Sequence, residues 1–90
     1  MGSVLRVQSD EVLYHVVSRG VDKQAIFGVV NGDRHVFLLL LERTVIRYGW
    51  QLHAYCLMGN HFHLVVDTPR SNIADGMRYL KSAYALWFNA

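Results

Sequence analysis

The sequence predicts a small α+β domain whose elements follow the order β-α-β-β-α. Three short segments are rich in β-branched and aromatic residues, and two longer segments repeat apolar residues at helical spacing. Glycine, asparagine or proline separates most of these segments. The chain has 90 residues, of which 52% are hydrophobic and 18% are charged. This composition is typical of one domain with one core and excludes a disordered chain.

The first strand is predicted at residues 12–17, which read VLYHVV, and a loop with several polar residues follows over 19–30. A helix then begins near Asn31 or Asp33, because either side chain can accept hydrogen bonds from the free N–H groups of a helix start. It runs to about Tyr48, where a glycine ends it. The apolar side of this helix is wide, as expected for a helix packed on a sheet. It comprises Val36, Phe37, Leu40, Leu41, Thr44, Val45 and Tyr48.

A β-hairpin is predicted after this helix. Its strands cover residues 50–58 and 61–67, and Gly59 and Asn60 form the turn between them. Pro69 ends the second of these strands, since proline has no N–H group to donate to a neighbouring strand.

The last element is a helix that Ser71 or Asn72 caps. Its apolar residues recur at spacings of four and three, at Ile73, Met77, Leu80, Tyr84 and Trp87. The complete order matches a ferredoxin-like split βαβ fold, with both helices on one face of an antiparallel sheet and the last strand missing. The sequence ends at Ala90 while this helical pattern continues.

Two histidines flank a phenylalanine at the start of the third predicted strand. Alternate side chains of a strand point to the same face, so His61 and His63 project together, with Cα atoms roughly 6.5–7 Å apart. Phe62 points the other way, into the core. Two imidazoles so placed can bind one divalent metal ion, although a metal site needs further ligands. A purely structural histidine pair is the competing interpretation.

A cysteine could supply the third ligand. If the hairpin loop has an even number of residues, Cys56 lies opposite His63 on the same face and completes a zinc site. The competing interpretation is a buried cysteine that acts as a small hydrophobe. His53 falls on the other face in that register, and His15 and His35 lack a matching partner. We therefore predict structural or surface roles for these three histidines.

The basic residues include four candidate phosphate contacts. Nine Lys and Arg residues against seven Asp and Glu give a net charge of +2, which permits nucleic-acid binding without requiring it. Arg19 and Lys23 lie in the loop after the first strand, where Gly20 allows close backbone approach. Arg78 and Lys81 lie on the last helix. For all four, the competing role is that of a solvated surface charge.

Tyr84 is a candidate nucleophile, because it lies in the aromatic last helix and a tyrosine hydroxyl can form a bond to DNA phosphate. It also lies on the apolar stripe of that helix, and this position favours a core residue. The single cysteine excludes an internal disulfide. No signal-peptide pattern is found, and the longest apolar run, residues 36–41, is too short to span a bilayer, so we expect a cytoplasmic protein.

Three segments together resemble a known protein family. Residues 14–20, 50–66 and 76–89 are similar to the HUH single-tyrosine transposases of the insertion-sequence class, particularly the REP-associated tyrosine transposase branch. The similarity extends over nearly the whole chain from about residue 12. Its most specific part is the Asn-His-Phe-His sequence after the predicted turn.

The resemblance implies a function. In this family the two histidines, here His61 and His63, hold a divalent metal ion, usually magnesium or manganese, and we expect zinc less than either for this chain. The substrate is single-stranded DNA with hairpins, and a tyrosine attacks its phosphate to give a 5′-phosphotyrosine that another 3′-OH later resolves. Basic residues contact the DNA backbone. The resemblance also implies a homodimer acting in the nucleoid of a prokaryotic cell.

The chain departs from the family pattern at the nucleophile. The family's tyrosine lies on a later helix, beyond a further strand, and an asparagine four residues after it completes the metal site. Four residues after Tyr84 stands Phe88, which cannot bind a metal ion, and Asn89 is turned away at the fifth position. We therefore expect residues 1–90 to form a single HUH domain truncated at its C-terminus, in which Tyr84 has a packing role.

Two alternatives follow from this departure. The chain is either the N-terminal part of an active transposase or a catalytically inactive remnant or fragment that binds hairpin DNA without cutting it. A third and weaker hypothesis is a zinc-binding interaction module that uses Cys56, His61 and His63.

Overall fold

A computed structural model describes residues 3–6 and 13–90, which form a four-stranded antiparallel sheet and two helices. In chain order the elements are β1 (Ser3–Arg6), β2 (Leu13–Arg19), a 3₁₀ turn (Val21–Lys23), α1 (Asp33–Tyr48), β3 (Gln51–Met58), β4 (His61–Asp67) and α2 (Ile73–Phe88). The sheet order is β1-β2-β4-β3, and each neighbouring pair is antiparallel. The predicted order β-α-β-β-α and the α+β class are confirmed.

The strand β1 is an addition to the predicted elements. Without β1, β2 would be an edge strand of the predicted sheet. β1 pairs with it, with Ser3 opposite Val17 and Arg6 opposite Tyr14. The segment is only four residues long, so its sequence carries too little periodicity to indicate a strand. Residue 12, the predicted start of the first strand, lies outside the described residues.

The hydrophobic core lies between the helices and one face of the sheet. On β4 the side chains of Phe62, Leu64 and Val66 are fully buried, while the alternate residues are only partly buried. The rings of Phe37 on α1 and Phe62 lie 4.8 Å apart, and Tyr84 on α2 packs edge-on against Phe37 at 5.4 Å. Because side chains of a strand alternate, burying Phe62 leaves both of its histidine neighbours on the other face.

The start of α1 differs from the predicted cap. Its N-cap is Gly32, which has a left-handed conformation, and neither Asn31 nor Asp33 caps the helix with its side chain. The buried Asp33 carboxylate instead accepts hydrogen bonds from the N–H groups of the preceding loop. The donors and distances are Gly28 (3.0 Å), Val29 (2.9 Å) and Val30 (3.1 Å). Asp33 therefore fixes the loop before the helix.

The start of α2 differs in a similar way. Asn72 is the N-cap as predicted, but its side chain makes no capping hydrogen bond. Its Oδ1 accepts a hydrogen bond from Trp50 Nε1 at 2.9 Å, and its Nδ2 donates to the carbonyl oxygen of Tyr48 at 2.9 Å. Gly76 allows the indole of Trp50 to lie directly against α2, since a Cβ there would overlap the ring. Asn72 thus joins α2 to the end of α1 and the start of β3.

The Asp33 carboxylate gives a testable contribution to stability. Burial opposes its ionisation, but the N–H donors of Gly28, Val29 and Val30 outweigh burial and hold its pKa below the usual value of 3.8. The lowered pKa means that its stabilisation is present above about pH 4 and is lost as the pH falls through the folded pKa. We expect Asp33→Asn to reduce the free energy of unfolding by about 2 kcal/mol at neutral pH, and by less at about pH 3, as measured by urea denaturation.

Asp75→Asn is the matched control for this substitution. Asp75 is 65% exposed and pairs with Arg78, itself 76% exposed, at 3.5 Å. An exposed pair of this kind contributes little, so the control should stay within about 0.5 kcal/mol of the wild type. Equal effects of the two substitutions would contradict the role assigned to Asp33.

Candidate metal and nucleic-acid site

The face of the sheet opposite the helices carries the two predicted metal ligands. We call it the histidine face and define it by Arg19 and His15 on β2, Cys56 on β3, and His61 and His63 on β4. The imidazoles of His61 and His63 are neighbours, with ring centroids 5.0 Å apart and planes at 76°. Both side chains are partly buried. The structure thus places the two rings side by side, as the alternation along the strand predicts.

Each of these rings has one nitrogen held by a neighbour. The Nδ1 atom of His61 lies 2.7 Å from Asn60 Oδ1. Since an amide oxygen can only accept, the His61 proton is on Nδ1, and the lone pair of its Nε2 remains for a ligand. The Nδ1 atom of His63 lies 3.0 Å from Nε2 of His15. In both rings Nε2 is the atom that these contacts leave available.

The electrostatics of the site favour neutral imidazole at His63. Burial lowers the pKa of this side chain, and the positive charges of the neighbouring histidines and of Arg19 lower it further. Only the neutral form of imidazole has the lone pair that binds a metal ion. The lowered pKa of His63 therefore favours the form of this side chain that could act as a ligand.

The sequence interpretation missed the contact between His15 and His63 on the histidine face. The expectation that His15 lacks a partner is wrong, because its ring stacks on that of His63 with centroids 5.2 Å apart and planes at 29°. In the pairing of β2 with β4, Val17 is directly opposite His63, and His15 is two residues before Val17, so its side chain points to the same face of the sheet. Alternation along β2 predicts the face on which His15 lies, but only the register between β2 and β4 shows that its ring meets the ring of His63.

The first pair of predicted phosphate contacts lies near the histidines. Arg19 is directly opposite His61 in the β2–β4 pairing and is exposed. Lys23 is exposed in the 3₁₀ turn that follows. Backbone hydrogen bonds hold this loop against the β3–β4 turn, from Gly20 N to Asn60 O at 2.9 Å and from Ile26 N to Gly59 O at 2.7 Å. The prediction that Arg19 lies in the loop is wrong, because it is the last residue of β2, whereas Lys23 lies in the turn that follows. The fold brings the end of β2 and this loop to the turn that precedes His61.

The second pair of predicted contacts lies elsewhere. Arg78 is exposed on α2 and pairs with Asp75 at 3.5 Å. Lys81 is partly buried beside Tyr84 and Ala85 at a small cavity of about 140 Å³, and burial lowers its pKa. Because α2 packs on the core face of the sheet, the structure does not join these two residues to the histidine face.

Cys56 lies opposite His63 in the β3–β4 register, as the even hairpin loop predicts, and it is exposed. The competing prediction of a buried cysteine is therefore wrong. Within residues 3–6 and 13–90, however, no group of three or more His, Cys, Asp or Glu side chains is placed to hold a metal ion. The cysteine faces the correct side but does not complete a three-ligand site with the histidine pair.

Tyr84 is a core residue, as its position on the helical stripe predicts. It is buried, and its hydroxyl donates a hydrogen bond to the carbonyl oxygen of Ile26 at 2.8 Å. Burial and the nearby Asp33 carboxylate raise its pKa to about 12. These properties disfavour the tyrosinate that a nucleophile needs.

The other four tyrosines also lie away from the histidine face. Tyr14 and Tyr55 are opposite Val66 and Leu64 in the sheet, so they point to the helix side. Tyr48 and Tyr79 lie on the helices with ring centroids 5.8 Å apart. In the described part of the chain, which contains all five tyrosines, the histidine face thus carries no tyrosine.

Comparison with known proteins adds one match. A protein-family model described as "Transposase IS200 like" matches residues 8–90. No curated protein and no solved structure gives a significant match. Among the described residues, neither helix is long and apolar enough to cross a membrane.

Proposed function

The chain belongs to the IS200-like transposase family, and from this premise we propose that its histidine face binds a divalent metal ion and the backbone of single-stranded DNA. The observation that carries the proposal is the placement of His61 and His63, whose rings are neighbours on one rigid strand with their Nδ1 atoms already engaged. Metal-binding histidines in proteins typically use one ring nitrogen for the ion and the other for a fixed partner.

We propose magnesium or manganese as the metal ion. His61 and His63 would hold it through Nε2, and two imidazoles leave most of the coordination sphere to oxygen atoms, which these cations prefer. Such an ion supplies Lewis-acid polarisation of a phosphate group. Zinc with Cys56 as an added ligand is the weaker alternative, and stoichiometric zinc in a preparation that has no DNA affinity would favour it.

The proposed DNA contacts are of two kinds. Arg19, directly opposite His61, can bind the phosphate nearest the histidines, and Lys23 can bind a phosphate further along the strand. Arg78 and Lys81 on α2 would contact a different part of the same DNA, for example the stem of a hairpin. The full proposal includes a homodimer that binds hairpin-containing single-stranded DNA in a prokaryotic nucleoid.

The family reaction also needs a tyrosine hydroxyl beside the phosphate. Tyr84, the nearest candidate by sequence, is in the core and hydrogen-bonded to Ile26. We therefore propose that these 90 residues bind metal and DNA but do not form the phosphotyrosine by themselves. A complete strand transfer requires a tyrosine that approaches the histidine face from residues other than these.

Replacing either histidine tests the metal site. We expect His61→Ala and His63→Ala each to weaken manganese binding by at least tenfold in calorimetric titration, because each removes one of two protein ligands. His53→Ala is the control, since His53 is exposed at the bulge between Leu52 and Ala54 of β3 and should leave the affinity unchanged. Unchanged manganese affinity in both site variants would overturn the proposed metal site.

Replacing Arg19 at the end of β2, or Lys23 in the turn after it, tests the proposed DNA surface. We expect Arg19→Ala and Lys23→Ala each to weaken binding to a single-stranded hairpin oligonucleotide. The slope of log affinity against log salt should become shallower by about 0.7 for each phosphate that a variant no longer neutralises. Arg43→Ala provides the control, because Arg43 is an exposed cation on α1, on the helix side of the sheet. Equal losses of affinity in all three variants would indicate only a general charge effect.

A covalent assay tests the absence of the nucleophile. The chain should shift a labelled hairpin oligonucleotide in a native gel with manganese, yet show no protein–DNA adduct in a denaturing gel. An adduct would contradict the proposal, and its loss in Tyr84→Phe would identify Tyr84 as the attacking residue. The same variant should also lose the hydrogen bond to Ile26, so its folding must be checked by circular dichroism.

A further inference from the structure

The contact between His15 and His63 joins two groups that can each donate or accept. The two nitrogen atoms, Nε2 of His15 and Nδ1 of His63, are 3.0 Å apart, and both rings are partly buried. A neutral imidazole has one N–H and one lone pair on its two nitrogens. A hydrogen bond between two neutral rings therefore requires that one donates and the other accepts.

The position of one proton decides whether His63 can bind a metal ion through Nε2. If Nδ1 of His63 carries the proton, it donates to His15 and leaves the Nε2 lone pair available. If Nε2 of His15 carries the proton instead, Nδ1 of His63 accepts, and the proton of neutral His63 is on Nε2. In that tautomer Nε2 has no lone pair for a metal ion.

We propose that His15 is a positioning residue that holds His63 in the tautomer protonated at Nδ1. The proposal deepens the metal-binding function proposed above and rests on it. It gives both ligands the same arrangement, because Asn60 Oδ1 already requires the proton of His61 to be on Nδ1. The Nε2 lone pairs of the two neighbouring rings are then available together.

The sheet fixes His15 in this role. His15 is directly opposite Val65, and Val17 is directly opposite His63, so the two histidines are diagonal neighbours across β2 and β4. The adjacent Val16 is fully buried, which prevents β2 from turning its other face to solvent. Stacking of the two rings at 29° also restricts rotation of His63. Loss of a hydrogen bond to the ring nitrogen that does not bind the metal ion typically lowers metal affinity by about 10–100-fold.

The test is a direct measurement of the tautomer in metal-free protein. Long-range ¹H–¹⁵N correlation spectra at about pH 8, where unperturbed imidazoles are neutral, distinguish a protonated ring nitrogen from one with a lone pair. In the wild type we expect both His61 and His63 to be protonated at Nδ1. In H15F the ring shape remains but the acceptor is gone, so His63 should change to the Nε2-protonated form or to a mixture.

Two further variants complete the design. H15Q provides an amide oxygen that can accept from Nδ1, so it should restore the wild-type tautomer of His63 at least in part. H53F is the matched control, since it makes the same change at an exposed histidine of β3 and should leave the His63 signals unchanged. Manganese titration should show at least tenfold weaker binding for H15F and a smaller loss for H15Q.

The outcomes separate this proposal from the proposed function. A wild-type His63 protonated at Nε2, or a tautomer unaffected by H15F, would overturn the role of His15 even if manganese binds. If the wild type does not bind manganese, the metal function fails, while the spectra still decide which tautomer His15 imposes. If H15F does not fold, H15L serves as the variant without an acceptor.

Discussion

The alternation of side chains along β4 is the constraint on which the rest of the structure depends. Phe62, Leu64 and Val66 fill the core from this strand, and β4 is paired on both sides, with β2 and with β3. A slip of one residue would expose these three side chains and bury the histidines. The core and the candidate site are therefore fixed by the same register, although they lie on opposite faces of the sheet.

A chain of contacts extends this constraint from the core to the edge of the site. The hydroxyl of Tyr84 donates a hydrogen bond to the carbonyl oxygen of Ile26. The N–H group of Ile26 in turn donates to the carbonyl oxygen of Gly59, in the turn before His61. The N–H group of Gly20 binds the carbonyl of Asn60 in the same turn. Tyr84 therefore contributes to the position of His61 through backbone contacts, and this structural role explains a buried tyrosine without assigning it chemistry.

The sequence predicts the features that depend on local pattern, and it fails for those that depend on tertiary contacts. The strand of His61–Asp67 and the end of α1 at Tyr48 are confirmed, because a period of two and a terminal glycine are local signals. The predicted cap at Asn31 or Asp33 is wrong, because Gly32 is the N-cap of α1 and the Asp33 side chain accepts hydrogen bonds from the preceding loop. Asn72 is the N-cap of α2 as predicted, but its side chain bonds to Trp50 and Tyr48 and not to the helix start. His15 is missed for the same reason: its partner is 48 residues away along the chain.

The sheet separates the tyrosines, which lie on its helix side, from the histidines of the proposed metal site, which lie on the opposite face. All five tyrosines lie on the helices or on the helix side of the sheet, and the hydroxyl of Tyr84 has a pKa of about 12. To attack a phosphate on the histidine face, this hydroxyl would have to break its bond to Ile26 and cross the sheet, which would disrupt the core. In the described residues both helices pack on the core side, so neither helix covers the histidine face. A tyrosine that completes the proposed reaction must approach this face from the solvent side, where it can lie beside His61 and His63 without displacing any core residue.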